Sequence, residues 1–294
     1  MGLFGGGYLK PGPGVDKDAP RKKGLFLFVE IFIRKFIKIM QLNLMYVLFS
    51  LPWLLILYVF SMFVTNDLAN SIANISVQQI PGQDFASVLG VAQVSLRLLF
   101  VLLVFCLWGS GPASAGYAYI TRCFTREEHA WVWSDFIDKM KQNFKQGIVV
   151  VCIDAVLLFL GCNAFYFYFS IYKVTGSFMW LLLCYVCVLL FVIYSFMHYF
   201  IYQIMVTFEC KLSQLYRNAI LLCLGKTPMC LLLTAIAVVL IYLMAMNPIV
   251  GVLLSVFLGV SVIRFPMEFY TARVIGKTAV NIRKKPVSSD KGDA

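Results

Sequence analysis

Hydrophobic and polar positions along this chain fall into long blocks rather than short alternations. Uncharged apolar runs recur from Leu44 to Pro266, the plainest covering residues 44–64 and 98–120. Each supplies the roughly 20 helical residues that a bilayer's hydrocarbon core requires. Further runs cover 148–169, 174–208 and 227–263, and Asn247-Pro248 divides the last into two closely linked spans. The pattern predicts an all-α, polytopic membrane protein with six transmembrane helices in three hairpins. At about 1.5 Å per residue the run 174–208 exceeds the bilayer, so its helix must tilt or project.

The segments between the runs carry the charge. Residues 25–40 mix Phe and Ile with Glu30, Arg34, Lys35 and Lys38 at helical spacing, which predicts a helix lying in the interface plane. The first span follows, with Pro52 as an expected kink, and polar residues 65–96 read as an outer loop with room for a short helix. Residues 122–147 hold Trp131, Trp133, Phe136 and Phe144 among charges, as an amphipathic helix at headgroup level does. A second basic block covers 209–226. Of all Lys and Arg residues only Arg97 and Lys173 fall on the outer side, an asymmetry that places both termini in the cytoplasm; the expected location is the cell (plasma) membrane.

Residues 1–23, rich in Gly, Pro and charge, read as a flexible cytoplasmic tail, 24–275 as one membrane domain, and 276–294 as a basic cytoplasmic tail. Nothing in the first segment reads as a removable signal, and Gly6 stands where a myristoylation motif has Ser or Thr.

Composition strengthens this picture: 61% apolar, 16% aromatic and only 13% charged residues leave too little polar surface for a soluble protein of 294 residues. The net charge of +11, spread over all the inner segments, favours anionic inner-leaflet lipids and argues against a nucleic-acid reader. All nine cysteines fall in spans or inner segments and read as small buried hydrophobes. The Cys184-Cys187 CxxC sits inside an apolar run, where packing is the expected role.

Three inner segments align on an asparagine just before a span: FIKIMQLN ending at Asn43, FIDKMKQN ending at Asn143, and KLSQLYRN ending at Asn218. Around each asparagine the apolar triplets Ile37, Met40, Leu44; Ile137, Met140, Phe144; and Leu212, Leu215, Ala219 share one helical face. These elbows are candidate docking elements, with Trp133, Asp135 and Phe136 on the second of them. The alternative is that every cytoplasmic entry needs an amphipathic ramp, with Asn capping exposed backbone groups where the helix bends. In the second run the small residues Gly109, Gly111, Pro112, Ala113 and Gly116 form a candidate helix-packing face.

Two charges lie in the wrong solvent. Asp154 and Arg264 sit at similar depth in the third and last spans, where an unpaired charge costs on the order of 3 kcal/mol, so they form a candidate intramembrane ion pair. A proton or ion relay is the sharper reading, and the further ionisable groups available to it in the core are His198 and Glu268. Catalytic signatures are missing: there is no GxxxxGK[ST], GxSxG or HExxH, and His129 beside Glu127 and Glu128 has no second histidine near it to suggest a metal. The expectation is a non-enzyme with no cofactor.

Four segments, QLNLMYVLFSLP, GPASAGYAYITR, VWSDFIDKMKQNFKQG and LSQLYRNAILLCLGKTP, together give a chain that resembles the YesL-like integral membrane proteins of Gram-positive bacteria. The similarity covers residues 36–226 well and the last hairpin loosely. The resemblance implies a multispan membrane protein of undetermined biochemistry whose genes often accompany carbohydrate uptake systems of the ABC type. It points to an accessory or regulatory partner of such an importer. An autonomous small-solute or sugar transporter is the alternative, and a membrane enzyme acting on lipid or glycan the second alternative.

Overall fold

The structure is a computed structural model that describes residues 24–79 and 84–284. The expected tail 1–23 lies outside the described residues. Of the expected C-terminal tail, the helix runs on through Lys284, and 285–294 lie outside.

Every regular element among the described residues is helical: α1 (Leu25–Arg34), α2 (Phe36–Phe49), α3 (Leu51–Gln79), α4 (Phe85–Trp108), α5 (Pro112–Thr125), α6 (Val132–Gln142), α7 (Phe144–Thr175), α8 (Phe178–Met205), α9 (Leu212–Gly225), α10 (Thr227–Met246), α11 (Pro248–Leu254) and α12 (Val260–Lys284). A π-helical turn, Ser255–Gly259, joins α11 to α12. Six helices are long and apolar enough to cross a membrane: α3, α4, α7, α8, α10 and the continuous α11–π–α12 rod. This is a multi-pass membrane protein by length and composition. Burial agrees, because Leu55, Phe63, Phe159, Leu190 and Leu243 point outward while Asn43, Asp154, His198, Gln203, Arg264 and Glu268 are buried. Water would reverse that arrangement, whereas lipid stabilises it.

Several expected boundaries shift, each for a local reason. Residues 65–96 are not an outer loop; α3 runs on to Gln79 and α4 begins at Phe85, with Asp84 as its cap accepting a hydrogen bond from Ser87 N. The run 98–120 is not one span. It breaks after Trp108, where Gly109 (φ +87°) and Gly111 (φ +67°) take backbone conformations that favour glycine, and Pro112 restarts the chain as α5. The interfacial helix over 25–40 divides at Lys35, and the first span begins at Leu51, after Ser50, because Pro52 cannot donate to the preceding turn. The fourth span starts only at Phe178, since Gly176 closes α7 in the left-handed conformation (φ +63°).

The long helices α3 and α4 pack along each other, as do α7 and α8; α9 lies on α8, α10 on α4, and α12 on α5 and α8. The short helix α5 is buried at the centre, made of Ala113, Ser114, Ala115, Gly116, Tyr117 and Ala118. Small residues let its backbone reach its neighbours. A Cβ on Gly111 would stand 2.6 Å from the Gly147 carbonyl, one on Gly147 would stand 2.7 Å from Pro112 N, and one on Gly116 would stand 2.8 Å from the Phe136 carbonyl. Backbone atoms cannot yield as flexible side chains do. Gly147→Ala is therefore expected to cost about 2 kcal/mol in thermal unfolding of the detergent-solubilised protein. Gly161→Ala, where nothing lies within 4 Å, should be neutral or stabilising by a few tenths to about 1 kcal/mol.

Candidate functional site

The interior polar residues assemble around the α4–α5 break. Ending α4 at Trp108 frees its last carbonyls, and Arg264 of α12 fills that position: its guanidinium donates to Phe105 O at 3.3 Å and reaches Cys106 O at 3.5 Å. The same guanidinium pairs with Glu268, one helical turn further on, at 3.1 Å, and lies 5.1–6.0 Å from the ring centres of Tyr46, Tyr117 and Tyr202. Glu268 also accepts from Gln203 Nε2 at 2.7 Å, while Gln203 donates to Ala118 O. A buried positive charge thus finds an anion, backbone dipoles and aromatic faces, the compensation that makes it tolerable in an apolar medium.

A second cluster lies across Tyr202. Asp154 of α7 accepts a 2.6 Å hydrogen bond from the Tyr194 hydroxyl, and His198 Nε2 stands 3.0 Å from the same carboxylate oxygen. Trp108 lies flat over the His198 ring, with centroids 5.7 Å apart and planes 19° off parallel, and its Nε1 donates to Ser195 Oγ at 2.8 Å. Tyr202 borders both clusters; its ring meets that of His198 edge-on, with centroids 6.2 Å apart, and its centre lies 6.0 Å from the Arg264 guanidinium, while its hydroxyl accepts from Gly111 N.

Asp154 and Arg264 are therefore not partners. The expected pair is corrected to two pairs, Asp154 with His198 and Arg264 with Glu268. Equal depth says nothing of position around the bundle, and an intervening tyrosine gives each charge its own surroundings. Sequence reading also passed over Tyr46, Tyr117, Tyr194, Tyr202 and Gln203. Tyr194, His198 and Tyr202 recur every four residues, so one helical face carried the signal.

The three aligned asparagines do three different things. Asn43 is wholly buried and wedges into the π turn, donating to Ser255 O (3.0 Å) and Val256 O (2.7 Å) and accepting from Ser261 N (2.7 Å). Asn143 caps the end of α6 by donating to Lys139 O at 2.9 Å. Asn218 is exposed on α9. On the second elbow Phe136 is fully buried against Gly116 and Phe49, so it anchors α6 from inside and offers no docking surface. Asp135 Oδ2 accepts from Trp131 N and caps α6, and Trp133 is the exposed member. A shallow recess of about 320 Å³ lies beside it, lined by Lys38, Gln41, His129 and residues 130–134.

At the rim, Arg34 pairs with Glu127 and Glu30 and so ties α1 to the turn after α5. Lys35 lies 4.3 Å over the Phe124 ring; partial burial, and then the neighbouring Arg34, hold its pKa below the usual lysine value. Arg122 donates to Val206 O and Gln146 to Cys210 O, closing the end of α8. Among the described residues no three His, Cys, Asp or Glu side chains gather to hold a metal ion.

A family described as a protein of unknown function, DUF624, matches residues 94–165. That stretch runs from within α4 to within α7 and contains GPASAGYAYITR and VWSDFIDKMKQNFKQG, two of the four segments that carry the resemblance to YesL-like proteins. It includes Trp108 and Asp154, whereas His198, Arg264 and Glu268 lie beyond it. No curated protein and no solved structure matches the chain.

Proposed function

We propose that this protein is an accessory or regulatory membrane partner of a carbohydrate importer of the ABC type, not the carrier of the solute. The reading takes it as a single plasma-membrane domain of three hairpins, with both termini and the basic elbows on the cytoplasmic side against anionic lipid headgroups. The observation that carries it is the filled centre of the bundle. Trp108, Tyr46, Tyr117 and Tyr202 are all but fully buried there, and a Cβ on Gly109 would stand 2.8 Å from the Arg264 guanidinium. The polar groups at this centre are committed to one another. A sugar path through this centre would require separating α5 from α7 and α12 and breaking the Arg264 contacts. The resemblance to YesL-like proteins, whose genes accompany such importers, supplies the partner class. Mild-detergent purification of the tagged protein from its native host, followed by mass spectrometry, is expected to recover importer subunits. A preparation free of them overturns the proposal.

One observation favours a second reading, an autonomous transporter coupled to protons or ions: the Asp154–His198 pair is buried inside the apolar part of the helices. Purified protein in liposomes would then move a sugar or ion, and Asp154→Asn would abolish the movement. Inertness across a panel of sugars and ions removes this reading.

A further inference from the structure

The geometry points to a buried binding site for one exchangeable proton, shared between Asp154 and His198 under the Trp108 ring. The argument is a count of donors and acceptors. His198 Nδ1 stands 3.2 Å from the carbonyl oxygen of Tyr194, a group that can only accept, so Nδ1 carries a hydrogen. In a neutral ring Nε2 is then bare. That bare nitrogen would stand 3.0 Å from Asp154 Oδ1, off the axis of its lone pair, so two electron-rich atoms touch with no hydrogen between them. Tyr194 donates its hydroxyl proton to Oδ1, and among the described residues Asp154 Oδ2 and His198 Nε2 have no aligned hydrogen-bond partner. Both side chains are fully buried.

One added proton relieves that contact, and Asp154 Oδ2 stays without an aligned partner among the described residues. Placed on Nε2, it makes an imidazolium beside a carboxylate; placed on Asp154, it gives a carboxylic acid that donates to Nε2. Either way the cluster becomes neutral overall, where its absence leaves a lone negative charge in an apolar medium. Trp108 supports the first form, because an aromatic face 5.7 Å away attracts a cationic ring. The other groups facing the site are tyrosines: Tyr194 and Tyr202 of α8, and Tyr216 of α9, whose buried hydroxyl lies beside Tyr194 without an aligned hydrogen bond. Arg264, Glu268 and Tyr46 stand beyond Tyr202, and Arg264 is already paired with Glu268. Among the described residues no Lys or Arg stands within ion-pair distance of Asp154.

The site joins α7 to α8, so its loading sets how those helices pack: removing the proton turns the 3.0 Å contact repulsive. This holds whether the protein assists an importer or transports on its own.

The chain has two histidines, His129 and His198, which makes the test direct. Protein labelled with ¹⁵N-histidine and carrying His129→Gln is placed in lipid nanodiscs, leaving His198 as the one reporter. At about pH 7 its NMR signals are expected to show both ring nitrogens protonated, or Nδ1 alone protonated together with an infrared carboxylic-acid band. Asp154→Asn should return the ring to the plain neutral form and remove any such band. A neutral ring protonated on Nε2, or a neutral ring beside an ionised Asp154, overturns the proposal, as does a spectrum unchanged by Asp154→Asn. Should Asp154→Asn fail to fold, the form of the ring in the otherwise unaltered protein decides alone.

Discussion

Asn43→Ala is expected to lower the unfolding free energy by about 3 kcal/mol or more, the largest loss from any single uncharged side chain in the bundle. Asn43 is wholly buried and serves Ser255 O, Val256 O and Ser261 N, three backbone groups that the π turn removes from the regular helical ladder. In lipid no water replaces the lost side chain, so the orphaned groups carry their full desolvation penalty. Asn143→Ala removes one hydrogen bond at a helix end and should cost about 1 kcal/mol, and Asn218→Ala, on an exposed face, should cost nothing measurable. Thermal unfolding of the three variants in one detergent checks the order. Equal losses at the three positions would mean that the asparagines are equivalent elbow caps after all.

Arg264→Met is expected to be more damaging still, at about 3 to 5 kcal/mol, because it leaves the Glu268 carboxylate buried without its cation and takes the guanidinium away from Cys106 O, while Phe105 O keeps its bond from Gly109 N. The informative comparison is the double variant Arg264→Met with Glu268→Met. Removing both charges spares the uncompensated anion, so it should unfold at a higher temperature than Arg264→Met alone. In a double-mutant cycle Arg264 and Glu268 are expected to couple strongly, and Asp154 and Arg264 weakly, through Tyr202. A stronger coupling between Asp154 and Arg264 than between Arg264 and Glu268 would restore the single ion pair that equal depth suggests.

The crossing helices are legible in the sequence because about 20 uncharged apolar residues have few other stable solutions than a helix in lipid. Hydropathy fails where the surroundings are protein. Residues 98–120 stay uncharged through the α4–α5 break because that break is buried, so the only sign of it is the run Gly109, Gly111, Pro112. It fails again at the C-terminal end of α3, where Asn66, Asp67, Asn70 and Asn74 read as loop although the helix continues to Gln79. There Asn66 accepts from Gln93 Nε2 of α4, and Asp67 from the Tyr166 hydroxyl of α7. Polar residues at that height hold helices together beyond the apolar band. The candidate site was legible in its charges but not in their pairing. Depth follows from counting residues along a rod, whereas the partner depends on rotation about it. The tyrosines and Trp108 that enclose both pairs look like ordinary apolar filling until the helices are set side by side.

The orientation of the crossings underlies the proposal of a basic, partner-facing cytoplasmic side, and alkaline phosphatase fusions in a bacterial host test it most directly. With the enzyme joined after Lys173, in the last turn of α7, the fusion is expected to be active, because the proposed orientation puts that end of α7 outside. With the enzyme joined after Lys141, in α6, it is expected to be inactive, because the proposed orientation puts that elbow in the cytoplasm. Activity after Lys141 together with silence after Lys173 would contradict the orientation, and activity at both positions would contradict the crossing of α7.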